Sequence, residues 1–169
     1  IKEIITKDYN FVNILSLLGV ALVILITFKS GIIPIVVMIP IEVAIFINMA
    51  IPYLLGDKMI YMGYIIVSCL QLGATIDYSI LLTNNYLDFR TDLDKKQAAI
   101  NAISKSALSI LTSGTILTTV GYGLYFTSTV AAIADIGRLV GRGALLSMLL
   151  VLTLLPILLT LFDKAIFNQ

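Results

Sequence analysis

Long apolar runs separated by short polar interruptions dominate this chain. Five of them are long enough to cross about 30 Å of hydrocarbon, a distance that takes roughly 20 helical residues. They run from Phe11 to Phe28, Ile32 to Leu55, Met59 to Leu82, Ala107 to Phe126 and Ala144 to Phe162. None alternates strictly between apolar and polar positions, which favours helices over barrel strands. The pattern therefore predicts an all-α, polytopic membrane helix bundle of five spans, with its termini on opposite sides of the membrane. The one long polar stretch, Asn84 to Lys105, is expected as a loop, and Ala131 to Val140 as a short interfacial helix.

Composition agrees with that reading. The 169 residues are 59% hydrophobic and 12% charged, whereas soluble domains carry about 25% charged residues. A multi-pass protein of the cell membrane is expected, in a bacterium the cytoplasmic membrane, with no nucleic-acid partner. Basic residues near span ends are retained in the cytoplasm, so the 84–105 loop, with Arg90, Lys95, Lys96 and Lys105, is placed there. The N-terminus then lies outside and the C-terminus inside. Lys29 and Lys164 join the inner set, against Lys2, Lys7, Lys58, Arg138 and Arg142 outside. The charged start lacks a signal-peptide pattern. Because the chain opens on Ile1 rather than Met, it is read as a single transmembrane domain from a longer protein.

Candidate chemistry is sparse. Cys69 is the one cysteine and histidine is absent, so no disulfide framework, thiolate metal site or imidazole relay is expected. Metals and cofactors are not expected either. Against this background Asp77 stands out, in Leu72-Gly73-Ala74-Thr75-Ile76-Asp77-Tyr78-Ser79-Ile80-Leu81-Leu82. A carboxyl deep in a span is costly, which makes it a functional-site candidate by default. At 100° per residue Leu70, Gly73, Asp77, Leu81 and Asn84 share one face, and Gln71, Tyr78 and Asn85 form a neighbouring stripe. Gly73 lets another backbone approach closely, as small residues do in membrane helix contacts.

The fourth span is dense in hydroxyls, among them Ser109, Thr112, Ser113 and Thr119, and is expected to face Asp77. With no Lys or Arg inside any of the expected spans, Asp77 has no basic partner there. It can hold a proton when the site is dry and release it when water enters. The alternative is a permanently neutral, hydrogen-bonded contact between helices. Glu42, in the second span beside Pro40, is open to either role, while Asn48 reads as interhelical glue. Gly137 and Gly141 make a small-xxx-small pair suited to close packing, and Arg138 and Arg142 are placed to touch headgroups or a soluble domain. No paired intramembrane aspartates, His-Glu-x-x-His, phosphate-binding loop or serine elbow is present, so covalent catalysis is not expected.

Taken in order, Leu72 to Tyr78, Leu82-Thr83-Asn84-Asn85-Tyr86, Ala98 to Ser109, Gly114 to Gly123 and Ile136-Gly137 through Leu154-Leu155-Pro156 resemble the MMPL branch of the resistance-nodulation-division (RND) superfamily. The resemblance implies two similar six-helix halves, of which this chain matches helices two to six of the C-terminal one. It implies proton-driven export of lipids or other hydrophobic molecules, hence a secondary transporter rather than an enzyme, with H+ as the coupling ion. Asp77 would carry the proton, Tyr78 would be its hydrogen-bonding partner, and Ser109, Ser113 or Glu42 would assist. Asn85 stands where many relatives have a basic residue. The partners implied are membrane lipids, the other half, the extracytoplasmic domains and a hydrophobic substrate. Sterol- or lipid-sensing modules that dock partners without a transport cycle share the scaffold, and SecD/SecF-type protein-export subunits are also related. Sodium coupling stays open, because carboxylate and hydroxyl oxygens also suit a hard cation.

Overall fold

A computed structural model describes residues 2–56 and 61–167. Its six helices are α1 (Lys2–Phe28), α2 (Ile32–Leu55), α3 (Tyr61–Arg90), α4 (Lys95–Thr127), α5 (Ala131–Leu161) and the short α6 (Asp163–Phe167), and the described residues contain no strand. Five of the helices are long and apolar enough to span a membrane. The architecture is the all-α polytopic bundle that the hydrophobic pattern implies. Of the third expected span, Met59 and Ile60 lie outside the described residues.

Helix α5 is the hub. It packs against α2, α3 and α4 and hands the chain to α6, while α1 leans on α2 and α3 at the periphery. Most of α1 points outward: from Phe11 on, Ile24 is its one buried hydrophobic side chain, and Phe11, Leu15, Leu18 and Ile26 are exposed. In a bilayer such a surface faces lipid tails or another apolar element at no solvation cost, so packing and hydrogen bonds must hold the bundle together.

The sharpest packing is between α4 and α5. A Cβ on Gly121 would lie 2.6 Å from Gly141 Cα and 2.9 Å from the Gly137 carbonyl oxygen, and one on Gly137 would lie 2.7 Å from the Gly121 oxygen. Glycine is required there because the two backbones touch. Further along, Gly114 makes room for Met148.

Turn chemistry explains the ends of α2. Lys29 takes a positive φ of 52° in the tight α1–α2 connection. Gly56 closes α2 at φ 72°, its N–H donating to the carbonyls of Pro52 and Tyr53, the left-handed terminus that glycine adopts without a Cβ penalty.

Two expectations need correction. The stretch 84–105 is not a loop: α3 runs through Arg90, the chain turns over 91–94, and α4 starts at Lys95. Polarity marks where a helix leaves hydrocarbon, whereas backbone bonding ends a helix, and no glycine or proline interrupts 84–90. Likewise Ala131 to Val140 is no separate interfacial helix but the first part of α5. Its glycines do not break the helix, since two of them are clamped against α4.

Candidate functional site

Helix α3 carries polar residues on opposite sides, and the structure separates them. Gln71, Thr75, Tyr78, Ser79, Thr83, Asn85 and Tyr86 are buried, whereas Leu70, Gly73, Ala74, Asp77, Leu81 and Asn84 are exposed. The inward stripe shares hydrogen bonds with four helices, α2, α4, α5 and α6. The outward stripe presents a carboxyl on an otherwise apolar surface.

Asp77 occupies a shallow groove of about 170 Å³ lined by Gly19, Val20 and Val23 of α1 and by Ile76 and Ile80 on either side of it. No hydrogen bond ties its carboxyl to a described residue. Tyr78 points the other way, 7% exposed within the core. Neighbouring residues on a helix diverge by 100°, so the sequence pair Asp77-Tyr78 is not a bonded pair within this chain.

Ser109 and Ser113 are exposed on α4. The expectation that the hydroxyl-rich side of α4 meets Asp77 is corrected: α4 buries Ala98, Ala102, Ser106 and Ile110 instead. Its threonines satisfy themselves on their own helix, Thr112 donating to Leu108 O, Thr118 to Gly114 O and Thr119 to Thr115 O at 2.7–2.8 Å. Such back-bonded hydroxyls present their methyl groups outward and place no demand on a partner helix. The one hydroxyl that α4 offers to α3 is Ser106, which accepts from Asn85 Nδ2 at 2.7 Å.

Glu42 is half-buried on α2 and does not line the Asp77 groove. Its Oε1 is shielded and has no hydrogen-bond partner among the described residues. Gly137 and Gly141 sit in the α4–α5 seam, while a Cβ on Gly73 would meet no described atom within 4 Å.

Two polar networks flank Asp77 along α3. In the first, Asn48 Nδ2 donates to Gln71 Oε1 at 2.8 Å and to Leu139 O at 2.9 Å. Gln71 Nε2 in turn donates to Ser147 Oγ at 3.1 Å and Gly143 O at 3.3 Å. Arg142 donates from Nε to Asn48 Oδ1 at 2.8 Å and from Nη2 to Asn48 O at 2.9 Å. That carbonyl is free to accept because Pro52, four residues on, has no N–H to give it. Arg142 is thus drawn into the bundle, a use that the sequence reading of it as a headgroup contact did not include.

In the second network Tyr86 Oη donates to Asp163 Oδ1 at 2.7 Å. Arg90 forks onto the same carboxylate, Nε to Oδ1 at 2.9 Å and Nη2 to Oδ2 at 3.1 Å. Its Nη1 donates to Leu93 O at 3.1 Å, and its guanidinium lies 5.3 Å from the Phe167 ring centre. Asp163 is 4% exposed. Burial alone would raise its pKa, yet the bonds from Arg90 and Tyr86 outweigh that and hold it below the usual carboxylate value. Sequence reading missed this cluster, since Asp163 falls beyond the last apolar run and seventy-odd residues from its partners.

A bundle with five helices long and apolar enough to cross a membrane has the make-up of a multi-pass membrane domain. Residues 1–168 match the MMPL family, and the chain belongs to it. Among similar proteins are ActII-3 of Streptomyces coelicolor, 27% identical over 160 residues, and MJ1562 of Methanocaldococcus jannaschii, 25% identical over 165, both named as membrane proteins. The matches cover 92% and 97% of this chain but 22% and 42% of those relatives, so it spans well under half of either. No solved structure matches it.

Proposed function

We propose that the chain is part of the membrane domain of a proton-motive-force-driven exporter of lipids or other hydrophobic molecules, with Asp77 as the proton carrier. The observation that carries this reading is a carboxyl placed on the outward face of a membrane helix, with no hydrogen-bond partner among the described residues. A carboxyl on such a surface is expensive in lipid, and a second protein surface or a water path relieves the cost. In this reading the other half of the full-length protein supplies that surface, and its groups, with the exposed Ser109 and Ser113, complete the relay. Tyr78 serves from the inside, bracing α3 in the core. The substrate path is assigned to the rest of the protein, its extracytoplasmic domains included. The N-terminus is assigned to the outside and the 91–94 turn to the cytoplasm.

Moving one charge through the membrane potential is worth roughly 2.3 kcal/mol per 100 mV, enough to bias two conformations a few kcal/mol apart. The test is Asp77→Asn in the full-length protein reconstituted in proteoliposomes. Insertion and thermal stability should match the parent, while proton flux driven by an imposed pH gradient should fall by at least tenfold. Undiminished flux would remove Asp77 from the relay.

A further inference from the structure

We infer that Arg90, Asp163 and Tyr86 are positioning residues that set the proton affinity of Asp77 by fixing the end of α3 to α6. The inference rests on the reading of Asp77 as proton carrier. Tyr86 and Arg90 follow Asp77 by nine and thirteen residues, about 13 and 20 Å along the same helix. They touch nothing at Asp77 itself, so any influence travels through the helix.

The clamp holds α3 through a charged side chain of its own, which the other network does not. Gln71 holds α3 to α5 through neutral amide and hydroxyl bonds of 3.1–3.3 Å. The fork of Arg90 on Asp163, reinforced by Tyr86, is charge-assisted and bidentate. Arg90 also binds the turn after α3 through Leu93 O and covers Phe167 of α6. A single guanidinium thus joins the helix end, the turn and α6. Opening it would leave Asp163 buried without a partner, so the clamp is either closed or fully broken.

What the clamp restrains is visible between it and Asp77. Ser79 and Thr83 are fully buried on the inner face of α3, yet neither hydroxyl oxygen has a hydrogen-bond partner among the described residues. Buried hydroxyls are normally hydrogen-bonded. A rotation or slide of α3 that paired them would also re-aim Asp77 on the opposite face. The closed clamp holds α3 in the register that leaves Asp77 in its groove.

The experiment is an infrared titration of the Asp77 carboxyl in the full-length protein in proteoliposomes, the band being assigned by its loss in Asp77→Asn. Asp163→Asn and Tyr86→Phe should each displace the midpoint by about half a pH unit, a threefold change in proton affinity, and in the same direction. Asp163→Glu, which retains the ion pair, should restore the parent midpoint. A shared direction is diagnostic, because only one of the two displacing substitutions changes the charge. A parent midpoint in both of them would overturn the inference. Should Asp163→Asn fail to insert, Tyr86→Phe decides alone, since it removes one oxygen and keeps the ring. A parent protein in which Asp77 does not titrate would instead overturn the relay reading, and the inference with it.

Discussion

At Asn48 one residue does the work of a helix joint. Pro52 frees its carbonyl, Arg142 takes both that carbonyl and the side-chain oxygen, and both amide hydrogens go to other helices. Asn48→Ala would remove the donor to Gln71 Oε1 and the side-chain acceptor of Arg142 Nε, at a cost of about 1–3 kcal/mol. A thermal-unfolding midpoint several degrees lower in detergent is the expected result, and an unchanged midpoint would show the network to be energetically idle. Asp163 gives a pH-dependent counterpart. Its folded pKa is depressed, so its contribution is complete above the unfolded value of 3.8 and fades as pH falls through the lower folded value. Stability measured from pH 6 downward should therefore drop below about pH 4 in the parent, and by less in Asp163→Asn, which starts lower. The sequence made Asp77 conspicuous because a lone acid in an apolar run needs no context to be noticed. It hid Asp163, whose meaning comes from Tyr86 and Arg90, far away in the chain and joined only by folding.

Helices, taken one at a time, were legible in their cores and not at their ends. Hydrophobic runs report how much of a helix lies in hydrocarbon, and the five spans follow from them. They do not report that α3 and α4 continue through polar residues to a turn of four, because hydrogen bonding along a helix is indifferent to the polarity of its side chains. Facing was harder still. The hydroxyls of α4 suggested a polar contact with α3, but back-bonded threonines are as easily turned outward, and the small residues Ala98, Ala102, Gly114 and Gly121 took the inner side. The small-xxx-small spacing of Gly137 and Gly141 did identify the close-packed face of α5, since backbone contact leaves no alternative residue. Gly121→Ala should consequently force α4 from α5 and cost about 1–3 kcal/mol, read as a lower unfolding midpoint. Gly19→Ala, into open space on α1, is the control and should be neutral or slightly stabilising.

At the scale of the whole molecule, the proposed relay requires a second protein surface beside the outward faces of α3 and α4. Asp77 and the uncovered Gly73 are exposed on α3, and Ser109 and Ser113 on α4, and an ionisable group on such a surface is poorly suited to lipid. The outer face of α2, by contrast, carries Phe46 and Ile35, which lipid tails accept readily. The two surfaces should therefore differ in the full-length protein. With Cys69 replaced by alanine, single cysteines at Gly73, Ser113 and Phe46 can be challenged with a lipid-soluble maleimide in native membranes. If, as proposed, the other half covers Gly73 and Ser113, cysteine at Phe46 should react readily and cysteines at those two positions at least tenfold more slowly. Equal rates at all three would mean that Asp77 faces lipid in the complete protein. Its proton would then have no protein partner to pass to, and the outward carboxyl would lose its place in a relay between halves.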